Sequence, residues 1–157
     1  MKREAFQDFY SAPVAQCYGC GYENPHGLQI KSYWEGEFSV CRFMPKEFHT
    51  AVPGYVYGGL IASLVDCHGT GTAAAAAYRQ AGRPMGSEPE LRYVTASLQV
   101  DFLKPTPMGV ELLLKAQAEE IKGRKVVVTM NVFAGDDVCV KGRVVAVLAP
   151  DSMFANV

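Results

Sequence analysis

The sequence predicts an α+β protein in which one long helix packs on a single antiparallel sheet. Three observations predict it. From Gly58 to about Gln80 the chain reads as one helix, with Leu60, Ile61, Leu64 and Val65 on its broad apolar side. Residues 93–103 alternate as a half-buried strand does, with Val94, Ala96, Leu98, Val100 and Phe102 on one face and Thr95, Ser97, Gln99 and Asp101 on the other. Residues 110–120, 124–133 and 138–148 continue as strands, joined by Lys122-Gly123 and Gly135-Asp136-Asp137, links that suit antiparallel hairpins. Strands, then one helix, then a run of strands is the order that puts a helix on one sheet.

The remaining elements follow from punctuation. Residues 16–28 form a loop rich in Gly, Asn and Pro, and residues 29–34 and 37–43 form two short strands around Glu35-Gly36. Residues 48–57 are irregular, held by Pro53-Gly54, and residues 81–90 form a Gly/Pro loop. Residues 1–10 carry Lys2, Arg3, Glu4 and Asp8, which excludes a signal peptide. Ala5, Phe6 and Phe9 suggest a short amphipathic helix there. With 157 residues, 49% of them hydrophobic, the expectation is one domain over 1–157 with a sizeable core. A formal charge of −1 offers no basic footprint for nucleic acid. No apolar run is long enough to span a membrane, because Asp66, His68 and several glycines interrupt residues 58–77. Five scattered cysteines, an odd set, point to reduced thiols in the cytoplasm.

The chemistry concentrates in residues 51–66. A Pro-Gly turn leads to Gly58-Gly59, which opens an apolar helix carrying one acid, Asp66. A helix start flanked by glycines presents unpaired N–H groups to a ligand oxygen. A carboxylate in an apolar helix is costly unless something uses it. Together they suggest an oxyanion donor and a general base or nucleophile. By helical spacing Asp66 shares a face with Gly59, Ala62, Ser63, Gly69, Thr70 and Ala73. All are small, so another subunit, a strand or a ligand is expected to pack against them.

At this point the chain resembles the hotdog-fold acyl-CoA thioesterases of the phenylacetyl-CoA-type branch, in which a long central helix is wrapped by an antiparallel sheet. Three segments carry the resemblance over residues 17–148: Cys17-Tyr18-Gly19-Cys20-Gly21-Tyr22-Glu23-Asn24-Pro25-His26-Gly27-Leu28, then Pro53-Gly54-Tyr55-Val56-Tyr57-Gly58-Gly59 with Leu64-Val65-Asp66, then Thr95 through Pro105. The family's His-Gly-Gly is Tyr57-Gly58-Gly59 here. Tyrosine keeps a hydrogen-bonding tip but is no base near neutrality. The resemblance implies that the Gly58 N–H is the oxyanion donor, that Asp66 attacks or activates water, and that Thr95 orients one of them. It implies substrate contacts at Tyr57, Gly59, His49 and Asn24, and it implies an acyl-CoA substrate with no metal or redox cofactor.

Geometry adds a second expectation. Gly58 and Asp66 stand eight residues apart, about 12 Å along a helix. Each must come within roughly 3 Å of one reacting centre. One helix is therefore expected to supply only one of them, and the other comes from a second copy in a homodimer or a dimer of dimers. CoA phosphates need cations, for which Lys104 is the first candidate and Arg79, Arg83 and Arg92 the others. Phe48, Tyr55, Tyr57 and Met85 are candidates to shape an acyl pocket. Cys17 and Cys20 form a single C-x-x-C. Zinc would need further ligands, for which His26 and His49 are the nearest, so a tight turn is the default and no metal is assigned. His68 is turned off the Asp66 face and reads as structural. Plainer readings stand beside these: Asp66 as a solvated acid, Thr95 as a β-former, Gly58 and Gly59 as turn residues. A non-catalytic module binding acyl-CoA or another apolar ligand is the alternative function. A dehydratase lacks an Asp/His pair at suitable spacing.

Overall fold

The computed structural model describes residues 3–157, so Met1 and Lys2, the first two positions of the expected N-terminal helix, lie outside the described residues. Six strands and one long helix follow in chain order: β1 (Ser32–Glu35), β2 (Phe38–Phe43), α1 (Gly58–Gln80), β3 (Tyr93–Phe102), β4 (Leu112–Lys122), β5 (Lys125–Ala134) and β6 (Asp137–Leu148). The strands form one antiparallel sheet in the order β1-β2-β4-β5-β6-β3. The sheet wraps α1, which is the hotdog arrangement.

β2 to β6 fall within about two residues of their expected places, because the turns that separate them are chemically marked, while β1 begins three residues later than expected, at Ser32. Gly36, Gly123 and Gly135 turn the three hairpins at φ +64°, +58° and +61°, a region that L side chains rarely enter. Leu60, Ile61, Leu64 and Val65 are buried against Leu112, Leu114, Val126, Val128, Val140 and Val144 of the sheet. Burying one such side chain stabilises the fold by about 1.5–3 kcal/mol.

Two glycines let α1 and β6 interlock. A Cβ on Gly69 would lie 2.4 Å from Val144 Cγ2, and a Cβ on Gly142 would lie 2.5 Å from Val65 Cγ1. Each valine thus fills the space where the facing residue has no side chain. Gly69 and Ala73 belong to the small-residue face on which a subunit, a strand or a ligand is expected to pack, and for Gly69 that neighbour is β6 of its own chain. Both are buried, Gly69 against the sheet of its own chain. Only Gly58, Gly59, Ala62, Ser63, Asp66 and Thr70 remain as a half-buried stripe.

Two corrections concern the N-terminal segment and the strand after α1. The N-terminal segment is a single 3₁₀ turn over Phe6–Phe9, with Ala5, Phe6 and Gln7 buried and Phe9 38% exposed. β3 is an edge strand rather than a half-buried one, and Leu98 and Phe102 are 41% and 54% exposed. Its strict alternation is broken by a bulge between Thr95 and Ser97.

His68 points away from Asp66, as its spacing implies, into a fully buried polar chain. Its Nδ1 lies 2.8 Å from Ser32 Oγ, and its Nε2 lies 3.4 Å from Ser39 Oγ. Gln7 Nε2 donates to Ser32 Oγ at 3.1 Å, and Ser39 Oγ meets Thr72 Oγ1 at 2.6 Å. The network ties the N-terminal turn, β1, β2 and α1 together, with a hydrogen-bond partner for each member as burial demands. Burial lowers the His68 pKa to about 4.

Candidate active site

Asp66 is the ninth residue of α1, half-buried, with its carboxylate turned toward β3. Thr95 donates its hydroxyl proton to Asp66 Oδ1. The bulge that follows Thr95 displaces the strand at that point and sets the direction of the hydroxyl. Sequence-distant residues 66 and 95 are therefore joined, acid to hydroxyl, in the wall of a cavity of about 290 Å³. Tyr10, Cys17, Cys20, Cys67 and Thr70 line the same cavity.

Gly58 lies elsewhere. It is the first residue of α1, after the extended N-cap Tyr57, whose side chain makes no capping hydrogen bond. The first N–H groups of the helix, which no intrahelical carbonyl can accept from, face this end. Gly58 lines a separate open groove of about 430 Å³ with Tyr55, Phe102, Lys104 and Thr106. Thr106 is 3% exposed, and its hydroxyl has no hydrogen-bond partner among the described residues. Lys104 forms an ion pair with Asp137 at 2.9 Å on the rim.

The ring of Tyr57 lies back over Gly59, where a Cβ would meet the ring Cε1 at 2.4 Å. His49 holds the approach to the helix: its carbonyl accepts from Tyr57 N–H at 2.9 Å. Its Nδ1 accepts from Lys46 N–H at 3.0 Å, and its ring packs between Phe43 and Phe48. Burial, then the nearby Lys46 charge, lowers its pKa. Asn24 is a turn residue, accepting from His26 N–H at 3.1 Å and donating to Gln16 O at 3.2 Å. Neither His49 nor Asn24 lines either cavity.

The other candidate cations have partners of their own. Arg79 stacks on Trp34 at 3.5 Å, Arg83 donates to the Ser87 carbonyl at 2.7 Å, and Arg92 pairs with Glu90 at 2.7 Å. Met85 lines a different cavity, beside Phe9 and Trp34, away from both Asp66 and Gly58. Phe48 is 74% exposed.

Sequence reasoning missed a third thiol. Cys67 follows Asp66 on α1 and stands 3.9 Å, Sγ to Sγ, from Cys17. The Sγ atoms of Cys17, Cys20 and Cys67 all lie within 4.8 Å of one another. Neither His26 nor His49 belongs to this group. S–H donation from Cys20 and Cys67 holds the Cys17 thiol far below its usual range, with the Cys20 and Gly19 amides assisting. The same hydrogen bonding pushes Cys20 up to about 12 and, with burial, raises Cys67 further. No spacing rule joins a C-x-x-C to a cysteine 50 positions after Cys17. The one sequence hint is Gly19, where a Cβ would lie 2.3 Å from Cys67 Sγ.

A hotdog sheet around one helix, with an acid and an uncapped glycine start on that helix, defines the class of protein. Residues 53–141 match the thioesterase superfamily, and the chain belongs to that family. A solved thioesterase superfamily protein from Shewanella loihica PV-4 is 49% identical, with a TM-score of 0.69 over 92% of this chain and 99% of that one. The PaaI protein from the phenylacetic acid degradation operon of E. coli shares the fold at 19% identity, with a TM-score of 0.63 over 82% of this chain and 88% of that one. Acyl-coenzyme A thioesterase THEM4 of Xenopus laevis is 33% identical over 98 residues, 62% of this chain. The chain spans only 38% of that relative's length. Among the described residues no helix is long and apolar enough to cross a membrane.

Proposed function

We infer that the protein is an acyl-CoA thioesterase of the phenylacetyl-CoA-type branch, cleaving a small-molecule acyl-CoA to free acid and CoA. Residues 1–157 act as one hotdog domain, in a homodimer or a dimer of dimers in the cytoplasm. Each site combines the Gly58 N–H of one protomer with Asp66 of its partner. The observation that carries this reading is that one α1 bears both groups yet opens them into two different cavities. A second helix, antiparallel to the first along the half-buried small-residue stripe, would bring them to one centre. The exposed edge of β3, with Leu98 and Phe102, supports a partner there.

In the reaction, the thioester carbonyl oxygen points at the helix start, where the Gly58 N–H meets the growing negative charge. Asp66 either attacks the carbonyl carbon or removes a proton from the attacking water, and Thr95 fixes its direction. Where Asp66 activates water, the C–S bond breaks as the proton it has taken passes to the leaving CoA sulfur. Where Asp66 attacks, CoA thiolate leaves an acyl–Asp66 anhydride, which water then hydrolyses to free acid and carboxylate, its proton going to the thiolate. Tyr57 and Gly59 border the thioester, and Lys104 meets a CoA phosphate. No nucleic acid, membrane or redox cofactor enters the reaction.

A second reading rests on Tyr57. With its ring over Gly59, the helix start can serve a module that binds acyl-CoA or another apolar ligand without turnover. Free-thiol release from short, medium, long and aryl acyl-CoAs decides between them, with wild type compared to Asp66→Asn. Turnover that collapses in a folded Asp66→Asn protein supports hydrolysis. Binding of the panel without thiol release by either protein overturns hydrolysis and leaves the binding module.

A further inference from the structure

The cavity beside Asp66 holds a feature that thioester hydrolysis does not use. Cys17, Cys20 and Cys67 converge on it from a loop and from α1, and all three line it. Cys17 is exposed, whereas Cys20 and Cys67 are buried.

We propose that these three cysteines form a binding site for a single thiophilic d10 cation, Zn²⁺ or Cu⁺, set in the wall of the Asp66 cavity. Thiolate ligands select these ions over oxygen-seeking ones. The distances fit them. With a zinc–sulfur bond of 2.3 Å, two tetrahedral ligands lie about 3.8 Å apart. The Cys17 and Cys67 sulfurs are already 3.9 Å apart, and the widest pair in the group would have to close by at most about 1 Å from 4.8 Å. A disulfide would need the sulfurs near 2.05 Å, so those of Cys17 and Cys67 stand almost 2 Å too far apart.

The loop is built to hold this arrangement. Gly19 lacks the Cβ that would strike Cys67 Sγ, and Gly21 lacks the one that would lie 2.1 Å from Ala15 O. Gly21 N–H closes the turn on Cys17 O at 2.8 Å. On binding, the remaining thiol protons pass to solvent, and three sulfurs leave zinc one further position, filled by water or by a ligand in the cavity. The proposal does not depend on the thioesterase reading, and hydrolysis as written does not require the ion.

The test uses the full chain, reduced and freed of metal, equilibrated anaerobically with Zn²⁺ or Cu⁺ against a chromophoric chelator. Retained metal is then counted by elemental analysis. The expected result is one ion per chain, with the preferred ion identified by the two arms. Cys17→Ser and Cys67→Ser should each weaken binding by more than about a hundredfold, because losing a ligand costs more than the 10–100-fold of an outer-shell change. Cys41→Ser, outside the group, should keep the ion. Circular dichroism confirms folding, and exposed Cys17 is the position least able to disturb it. Co²⁺ substitution should give thiolate charge-transfer absorption that Cys17→Ser abolishes. Retention of neither ion, equal retention by Cys67→Ser, or loss of two of the five titratable thiols to a disulfide without bound metal would overturn the proposal.

Discussion

Tyr57 and Gly59 share one space: the tyrosine ring folds back over the helix start, and a β-carbon on Gly59 would lie 2.4–2.7 Å from two ring carbons and the phenol oxygen. The glycine is what lets the ring rest there. Those three atoms are the far end of a side chain that is 56% exposed, so the ring is free to swing away.

Gly59→Ala is therefore expected to move the ring without unfolding the protein. Alanine gains up to about 1 kcal/mol of helix propensity over glycine, which offsets the crowding. The melting temperature should stay within about 4 °C of wild type. Near-ultraviolet circular dichroism should change, and KM for a hydrolysed acyl-CoA should shift. A loss of more than about 8 °C would mean the ring is anchored.

Gly69→Ala is the opposite case. Its β-carbon would meet Val144 Cγ2 at 2.4 Å and Cβ at 2.8 Å, and Val144 is a fully buried, β-branched residue in the sheet. Neither can step aside. Overpacking of this kind costs about 1–3 kcal/mol. Urea denaturation should show that loss, and Gly69→Ala with Val144→Ala should recover part of it. An unchanged midpoint for the single variant would contradict the interlock.

Shared sites predict complementation between two inactive proteins. Gly58→Pro removes the proposed donor N–H at the first helical position, where proline is well tolerated. Asp66→Asn removes the acid. Mixed dimers would each carry one intact site, so random re-pairing should restore about a quarter of wild-type thiol release from neither parent's activity. If the mixture stays as inactive as its parents after proven exchange, each site draws both groups from one chain.

Much of the fold was legible in the sequence, and for local reasons. Gly36, Gly123 and Gly135 mark their turns by chemistry, and the Gly58-Gly59 start with Asp66 eight positions on stands out without any contact map. What escaped is long-range. β3 leaves the loop after α1 and pairs with β6 at the sheet edge, a placement that no local pattern encodes. Its alternation looks half-buried because an apolar face left exposed at a sheet edge has the same composition as one covered by its own chain. The third thiol escaped for the same reason, since Cys67 meets Cys17 only once α1 has docked.

His68 predicts how stability responds to acid. Its folded pKa, about 4, lies below the unfolded value near 6.5, so between them the unfolded chain binds more protons. This contribution is complete above about pH 6.5 and is lost as the pH falls toward 4. Its full size is on the order of 3 kcal/mol. Comparing urea midpoints at pH 7 and pH 4.5 for wild type and His68→Gln isolates it, because carboxylate effects are common to both. A His68→Gln protein with the same pH slope as wild type would refute this assignment.

Asp66, Cys67 and His68 are consecutive, yet they face the cavity acid's partner Thr95, the thiol group and the buried serine network in turn. Successive residues of a helix point about 100° apart, so three neighbours reach three surroundings. The arrangement is a matter of phase. Adding one residue between Gly58 and Asp66 would put the acid where sulfur belongs, and removing one would put the imidazole there and the acid at the buried position of Val65. Substitutions can tune each of the three independently, but this stretch of the gene tolerates no change of length.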